Sequence, residues 1–382
     1  MALAAGVLAA CSSSGGSSSA GPTSGAPVGL ASIPLTSSTV GSATTWATVA
    51  MGHLDDPLNT FWELVALSAP NAGSPWQLAT PPGVASNGGL VAATGATSVL
   101  AGFEPTDKLR FSPLARSTDQ GSTWSGGILP AGMAAVPDAL AERGDGHSLA
   151  LLRTSAGTVV GTDGDLSTWT PVTSANALAS LPGPRGCHLS LLTAVAFDAA
   201  GSPLVGASCS RGGQAGIFAS TPTGWQQVGP GIPGGGNAPT EVIRLVQTAT
   251  ATGALVVAGE GASARLVALW SANGLHTWTV SAGQSLDGGS LVSTGLTVGG
   301  GFVVAIRGTD GSRSASDIAA SATEWQSLAR LPSGTASVTG TPAGGYDALV
   351  PQRSTLVVYA LAGAGWERVQ SLQVPIQYGS SG

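Results

Sequence analysis

Seven of the ten tryptophans fall at a spacing that few folds can use: Trp76, Trp124, Trp169, Trp225, Trp278, Trp325 and Trp366, separated by 48, 45, 56, 53, 47 and 41 residues. A period of roughly 40–50 residues is the length of one four-stranded propeller blade. Each Trp follows a short turn-forming segment. Four of them are followed two or three residues later by Leu or Val (Trp76/Leu78, Trp225/Val228, Trp325/Leu328, Trp366/Val369), which marks a strand opening with one side turned inward. The rhythm predicts an all-β chain: a seven-bladed β-propeller of four-stranded antiparallel blades.

Strands can be placed coarsely within several periods. In the fourth they are predicted at His188–Phe197, Pro203–Cys209, Gly216–Ser220 and Trp225–Val228. In the fifth they are Glu241–Thr248, Ala254–Gly259, Arg265–Trp270 and Trp278–Ser281, and in the sixth Leu291–Val298, Phe302–Arg307, Ala315–Ala319 and Trp325–Leu328. The third period resists division. The first shows only three strands (Thr45–Gly52, Phe61–Ser68, Trp76–Thr80), and a propeller must close its ring to avoid open sheet edges. The C-terminal run Leu372–Tyr378 is the expected innermost strand of the first blade, with Ser32–Ser37 as the rival donor.

Ser117-Thr118-Asp119-Gln120-Gly121-Ser122-Thr123-Trp124 reads S-x-D-x-G-x-T-W. An Asp here can accept backbone N–H groups two or three residues on, and a Gly can take a positive φ. The octapeptide resembles the Asp-box, or BNR repeat, of sialidase-like β-propellers, with Ser117, Asp119, Gly121, Thr123 and Trp124 as its structural residues. Worn copies stand at Asp163–Trp169 and Ser271–Trp278. The resemblance implies architecture and carries over no active site. Sialidases use an Arg-Ile-Pro motif near their start, an arginine cluster and a tyrosine nucleophile. This chain has no Arg-Ile-Pro, no arginine before Arg110, and tyrosines only at 346, 359 and 378.

Leu8-Ala9-Ala10-Cys11 followed by Ser12-Ser13-Ser14-Gly15-Gly16 resembles a bacterial lipobox, which implies lipidation of Cys11. Residues 1–11 are accordingly read as a lipoprotein signal. Residues 12–44, uncharged and rich in Ser, Gly and Thr, are read as a disordered tether, and 45–382 as the propeller. The expected location is extracytoplasmic, with a lipid anchor as the link to the cell membrane. Charged residues make up only 9% of the chain, the net charge is −6, and there is no basic run, which argues against nucleic acid. A hairpin turning near Asp198–Gly201 would set Cys187 opposite Cys209, and an oxidising compartment permits a disulfide. Gly259–Ala264 imitates a dinucleotide loop but is followed by no helix, so it reads as a turn.

No Walker loop, G-x-S-x-G elbow or metal-ligand spacing occurs, so no catalytic residue, metal or cofactor is expected. The scarce charges gather at predicted turns on one face of the ring: His53, Asp55, Glu104, Arg110, Arg211, Arg307, Asp310, Arg313 and Arg353. These are the candidate ligand-binding residues. Arginines from separate blades could grip an anionic group. The leading expectation is a monomeric binding or interaction module for a glycan, cell-wall component or envelope protein. The alternatives are a diverged sialidase-like glycoside hydrolase and a structural or assembly factor.

Overall fold

The computed structural model describes residues 38–40, 44–52, 60–68, 75–81, 86–94, 98–105, 114–126, 137–143, 145–152, 157–162, 166, 168–181 and 187–375. The regular structure among these residues is almost entirely β. The first antiparallel meander is β1 (Ser38–Val40), β2 (Thr44–Gly52), β3 (Thr60–Ser68) and β4 (Gln77–Leu78). Next come β5 (Ser86–Thr94), β6 (Val99–Pro105), β7 (Leu114–Ser117) and β8 (Ser125–Gly126), then β9 (Ala139–Glu142), β10 (Ser148–Leu152), β11 (Thr158–Thr162) and β12 (Thr170–Ser174). A one-turn helix, α1 (Ala175–Ala179), leads to β13 (Leu189–Phe197), β14 (Pro203–Cys209), β15 (Gly216–Thr221) and β16 (Gly224–Gln227). β17 (Thr240–Gln247), β18 (Thr252–Ala258), β19 (Arg265–Ser271) and β20 (Thr279–Val280) follow, with β21 (Gln284–Ser285) pairing back on β19. The chain continues through β22 (Ser290–Leu296), β23 (Phe302–Arg307), β24 (Arg313–Ile318) and β25 (Gln326–Ser327), and ends in β26 (Ser337–Gly340), β27 (Tyr346–Gln352), β28 (Thr355–Ala362) and β29 (Gly365–Gln373). Short ladders join some neighbours, so the strands group into sheets of eight, four, nine, four and four.

Side-chain alternation explains how the sheets stack. Successive residues of a strand face opposite ways. In β18, Ala254, Val256 and Ala258 enter the cluster shared with β13–β15. Leu255 and Val257 enter the next cluster, shared with β22–β24. Both faces are buried, so the strand reads as a continuous apolar run. The same pattern repeats along the chain. Trp46, Leu64, Val99 and Phe103 join the first two meanders; Leu100, Leu140 and Val160 join the next pair; and Leu149, Val159, Leu192 and Val205 the pair after that. Val303, Ala305, Val338 and Ala348 join the last two. Finally Ala47, Val49 and Met51 pack on Leu349, Leu356 and Val358, bringing the last sheet against the first. First strands also touch in sequence, β5 on β9, β9 on β13, β13 on β17, β22 on β26, and β26 on β1. The molecule is a closed β-propeller.

The periodic tryptophans sit in these junctions, one in each cluster. Several clasp the preceding sheet through the indole N–H. Trp278 Nε1 donates to Val228 O (2.8 Å), Trp325 Nε1 to Ala282 O (3.0 Å) and Trp366 Nε1 to Ala329 O (3.1 Å). The period in sequence is thus the repeat of one packing position.

Ring closure corrects one expectation. Leu372 and Gln373 do not cross to the first meander. They pair with Leu356 and Thr355 as the end of β29, a nine-residue outer strand. The innermost place in the first meander belongs to β1, whose Val40 pairs with Thr45. β1 lies just after the rival donor, Ser32–Ser37, and inside the stretch read as tether; Ser32–Ser37 is outside the described residues, as are 376–378. A bulge between the Val358 and Tyr359 pairings carries β29 onward to Gln373, so Leu372 finds its partner in its own meander.

Cys187 and Cys209 form a disulfide with Cα atoms 4.8 Å apart. The hairpin sets Leu189, and not Cys187 as expected, opposite Cys209, and Cys187 reaches Cys209 from two residues before β13. Replacing both cysteines by serine is expected to lower stability by about 3 kcal/mol through loss of loop-closure entropy. The check is a reduced urea midpoint that added reductant no longer changes.

Candidate functional site

Letter the strands of each meander A to D from the axis outward. The B–C turns and the D-to-A connections then emerge on one face, and the A–B and C–D turns on the other. The Ser117–Trp124 turn lies on the second face. Asp119 Oδ1 accepts from Ser117 Oγ (2.8 Å) and Thr123 N (2.8 Å), and Oδ2 accepts from Thr123 Oγ1 (2.6 Å). Ser117 Oγ accepts from Gly121 N (2.7 Å). The bonds from the Thr123 side chain and backbone and from Ser117 hold the Asp119 carboxyl below its ordinary range. Gly121 has φ +84°, and a Cβ there would lie 2.8 Å from the Trp46 ring. The same bonds recur at Ser271–Thr277 with Asn273 in place of the acid: Thr277 N donates to Asn273 Oδ1 (3.0 Å) and Leu275 N to Ser271 Oγ (3.0 Å). These turns use their polar groups internally.

The B–C face carries the candidate ligand residues. His53, Asp55 and Arg110 lie outside the described residues, and so does Cys11; Glu104 falls near the end of β6. Arg211 is exposed in the β14–β15 turn, just past the disulfide. Arg353 occupies the β27–β28 turn with φ +57°, and its carbonyl accepts from Gly52 N (3.0 Å), fixing that turn to the first meander. Arg307 and Arg313 are directly opposed at the last pair of β23 and β24. Arg313 is half-buried, and its Nη1 donates to Thr335 O. Burial, and then the charge of Arg307, lower the pKa of Arg313. Asp310, between them in the turn, accepts from Ser312 N (2.9 Å) and Ser312 Oγ (2.6 Å). Those bonds, and the nearby charge of Arg330, hold its carboxyl below the usual range.

Arg330 was missed by sequence reasoning. It lies in the connection from β25 to β26, beside Leu331, whose N–H bonds Arg313 O (3.2 Å). No motif marks it, because the path of a D-to-A connection is set by the neighbouring sheet. The structure therefore gathers Arg307, Asp310, Arg313 and Arg330 at one junction. Among the described residues, no hydrogen bond or ion pair joins Arg211 or Arg353 to this group.

Other polar clusters serve the frame. Glu142 ties β9 to the preceding meander through Arg116 (3.2 Å) and Ser98 Oγ (3.1 Å). Arg244, whose pKa burial pushes down to about 10, donates to Thr294 O (2.6 Å) and so links β17 to β22. Tyr346 Oη donates to Asp317 Oδ2 (2.8 Å), and burial and that bond raise its pKa. The dinucleotide-like stretch is a turn with a single 3-10 helix, Gly261–Ser263. Among the described residues no three His, Cys, Asp or Glu side chains are grouped to hold a metal ion.

No family model matches this sequence, and no curated protein does. Solved structures do. A candidate 6-phosphogluconolactonase from Bacteroides uniformis is 13% identical with a TM-score of 0.52, covering 87% of this chain and 97% of its own. A counterpart from Bacteroides fragilis is 12% identical with a TM-score of 0.51, covering 87% and 96%. The β-propeller domain of the Trilobed protease from Pyrococcus furiosus is 8% identical with a TM-score of 0.49, covering 90% and 98%. At such identities the first two likenesses are of fold alone, and they accord with the closed ring of sheets.

Proposed function

We propose that this chain is a cell-envelope-anchored, seven-bladed propeller of four-stranded blades that acts as a binding module through its B–C face. Its partner is a glycan, a cell-wall component or an envelope protein. Lipidated Cys11 would hold it to the membrane, the Ser/Gly/Thr-rich segment up to residue 44 would act as a tether, and the ring would work as a monomer. The seven junction clusters among the described residues, each with its own periodic Trp, support the blade count. The bonds within Ser117–Trp124 support the Asp-box reading.

One observation carries the functional reading. The chain is poor in charge, yet exposed arginines are placed on the B–C face, and the guanidinium groups of Arg307, Arg330 and Arg353 make no hydrogen bond or ion pair among the described residues. Unspent guanidinium donors suit an anionic or polyhydroxylated partner. A sialidase-like hydrolase fits less well. A tyrosine nucleophile is activated by a lowered pKa or an adjacent base, whereas Tyr346 is shifted upward and sits near the opposite face.

A glycan-array screen of the full chain, beside hydrolysis assays on sialosides and aryl glycosides, tests this. Binding that drops by about tenfold or more in Arg307→Ala or Arg353→Ala, without turnover, is the expected result. Turnover would overturn the non-catalytic reading. Silence in both assays would favour the assembly-factor reading, with capture of an envelope protein as the next step.

A further inference from the structure

We propose that the junction of Arg307, Arg313 and Arg330 binds a dianionic phosphate monoester group. The inference rests on the reading of the B–C face as a binding surface and narrows it to one junction and one ligand chemistry.

Arg307 and Arg313 are opposed across β23 and β24 at the final pair before the turn. Opposed residues of an antiparallel pair project from the same side of the sheet, and like charges so placed repel. Arg313 fixes which side this is, because its guanidinium reaches Thr335 O in the approach to β26. The β25–β26 connection returns over that side, bonded through Leu331 N to Arg313 O, and brings Arg330. A chain with only 14 cationic residues thus places three at one junction. Charges kept for solubility are usually interspersed in sign.

Charge balance selects the ligand. Asp310 is the carboxylate carried by the β23–β24 turn itself, and its Oδ1 is taken up by Ser312. Three guanidinium groups against one carboxylate leave two positive charges. A carboxylate ligand would cancel one of them. A phosphate monoester, at about −1.5 to −2 near neutral pH, cancels both and offers three acceptor oxygens to planar donors. The site lies at one junction of the ring, whereas the sequence suggested a grip by arginines from separate blades.

The test is calorimetric titration of the full chain at low ionic strength. Inorganic phosphate and glucose 6-phosphate serve as dianionic probes; acetate and a glycerophosphodiester are the monoanions. Both dianions are expected to bind about tenfold or more tightly than either monoanion. A preference for glucose 6-phosphate over inorganic phosphate would assign the source as a phosphorylated sugar rather than free phosphate. Affinity for glucose 6-phosphate should rise as pH is raised from about 5 to about 7.5, because the second proton of a phosphate monoester leaves near 6 while arginine does not titrate. Arg307→Gln and Arg330→Gln should each weaken phosphate by about tenfold. Arg368→Gln, on the outer strand β29, should leave it unchanged. Equal affinity for acetate, a flat pH profile, or indifference to both junction variants would overturn the proposal. Glycan or envelope-protein binding that persists while phosphate fails would overturn this inference and leave the broader reading standing.

Discussion

Trp76→Ala is expected to destabilise the protein more than loss of any other periodic tryptophan, by about 4 kcal/mol from the lost buried indole. Trp76 is only 2% exposed, whereas the other six are partly exposed. Its ring fills the cluster where the last sheet meets the first. Its Nε1 donates to the buried Asp347 Oδ2 (2.8 Å), and its backbone N–H and C=O are held by the Gln370 amide at 2.7 and 2.8 Å. Among the described residues, no strand is shared between the first and last meanders. Closure therefore depends on this cluster, on Gly52 N to Arg353 O, and on Thr45 Oγ1 to Gly340 O (3.0 Å). Deleting the indole also leaves Asp347 without that donor, which costs about 1–3 kcal/mol more. Urea denaturation of Trp76→Ala beside Trp124→Ala checks the claim. Equal losses would show that the closing junction has no special weight. Trp76→Phe, which keeps most of the packing and lacks the N–H, should fall between parent and alanine.

The second large effect is a loss of stability as pH rises. Burial pushes Glu63 up to about 7, partly offset by the Thr80 hydroxyl, and Asp347 up to about 6, partly offset by the Trp76 N–H. Both carboxyl groups are thus easier to ionise in the unfolded chain. Their contribution is fully present below about pH 4 and is lost as pH rises through about 6 to 7, on the order of 3 kcal/mol for each group. Parent and Glu63→Gln should be compared by urea unfolding at about pH 5 and about pH 8. The parent should weaken over that interval. The variant keeps an acceptor for Thr80 and carries no charge, so it should show roughly half of the loss and be the more stable protein at the higher pH. A variant less stable than the parent at the higher pH would refute the assignment of burial as the dominant cause.

Much of the fold was legible because its strongest signals are local or periodic. The strands β13–β15 and β23 lie within a residue or two of the predicted runs, since apolar alternation bounded by Gly-rich turns is a property of short segments. Cys187 and Cys209 could be paired because one hairpin sets their register. The closing strand was not legible. Whether Leu372 stays with Leu356 or crosses the ring depends on which inner place is already filled, and β1 fills it. The binding face was legible in part. Arg307, Asp310 and Arg313 are neighbours through a single turn. Arg330 joins them through packing between sheets, which leaves no mark in spacing. Glu63 reads as one charge in an apolar strand, and only its 5% exposure reveals a carboxyl out of reach of water.

By itself the sequence determined the repeat: a periodic tryptophan every 41 to 56 residues, each following a turn and opening a strand. A repeat of that length is one blade, and a ring of stacked sheets buries every copy in the same way. The tertiary structure alone decided which groups meet across the junctions. It set Trp76 on Asp347, Arg116 on Glu142, and Arg330 beside Arg307 and Arg313. Those meetings join residues whose separation along the chain is arbitrary, so they follow from how one sheet seats on the next.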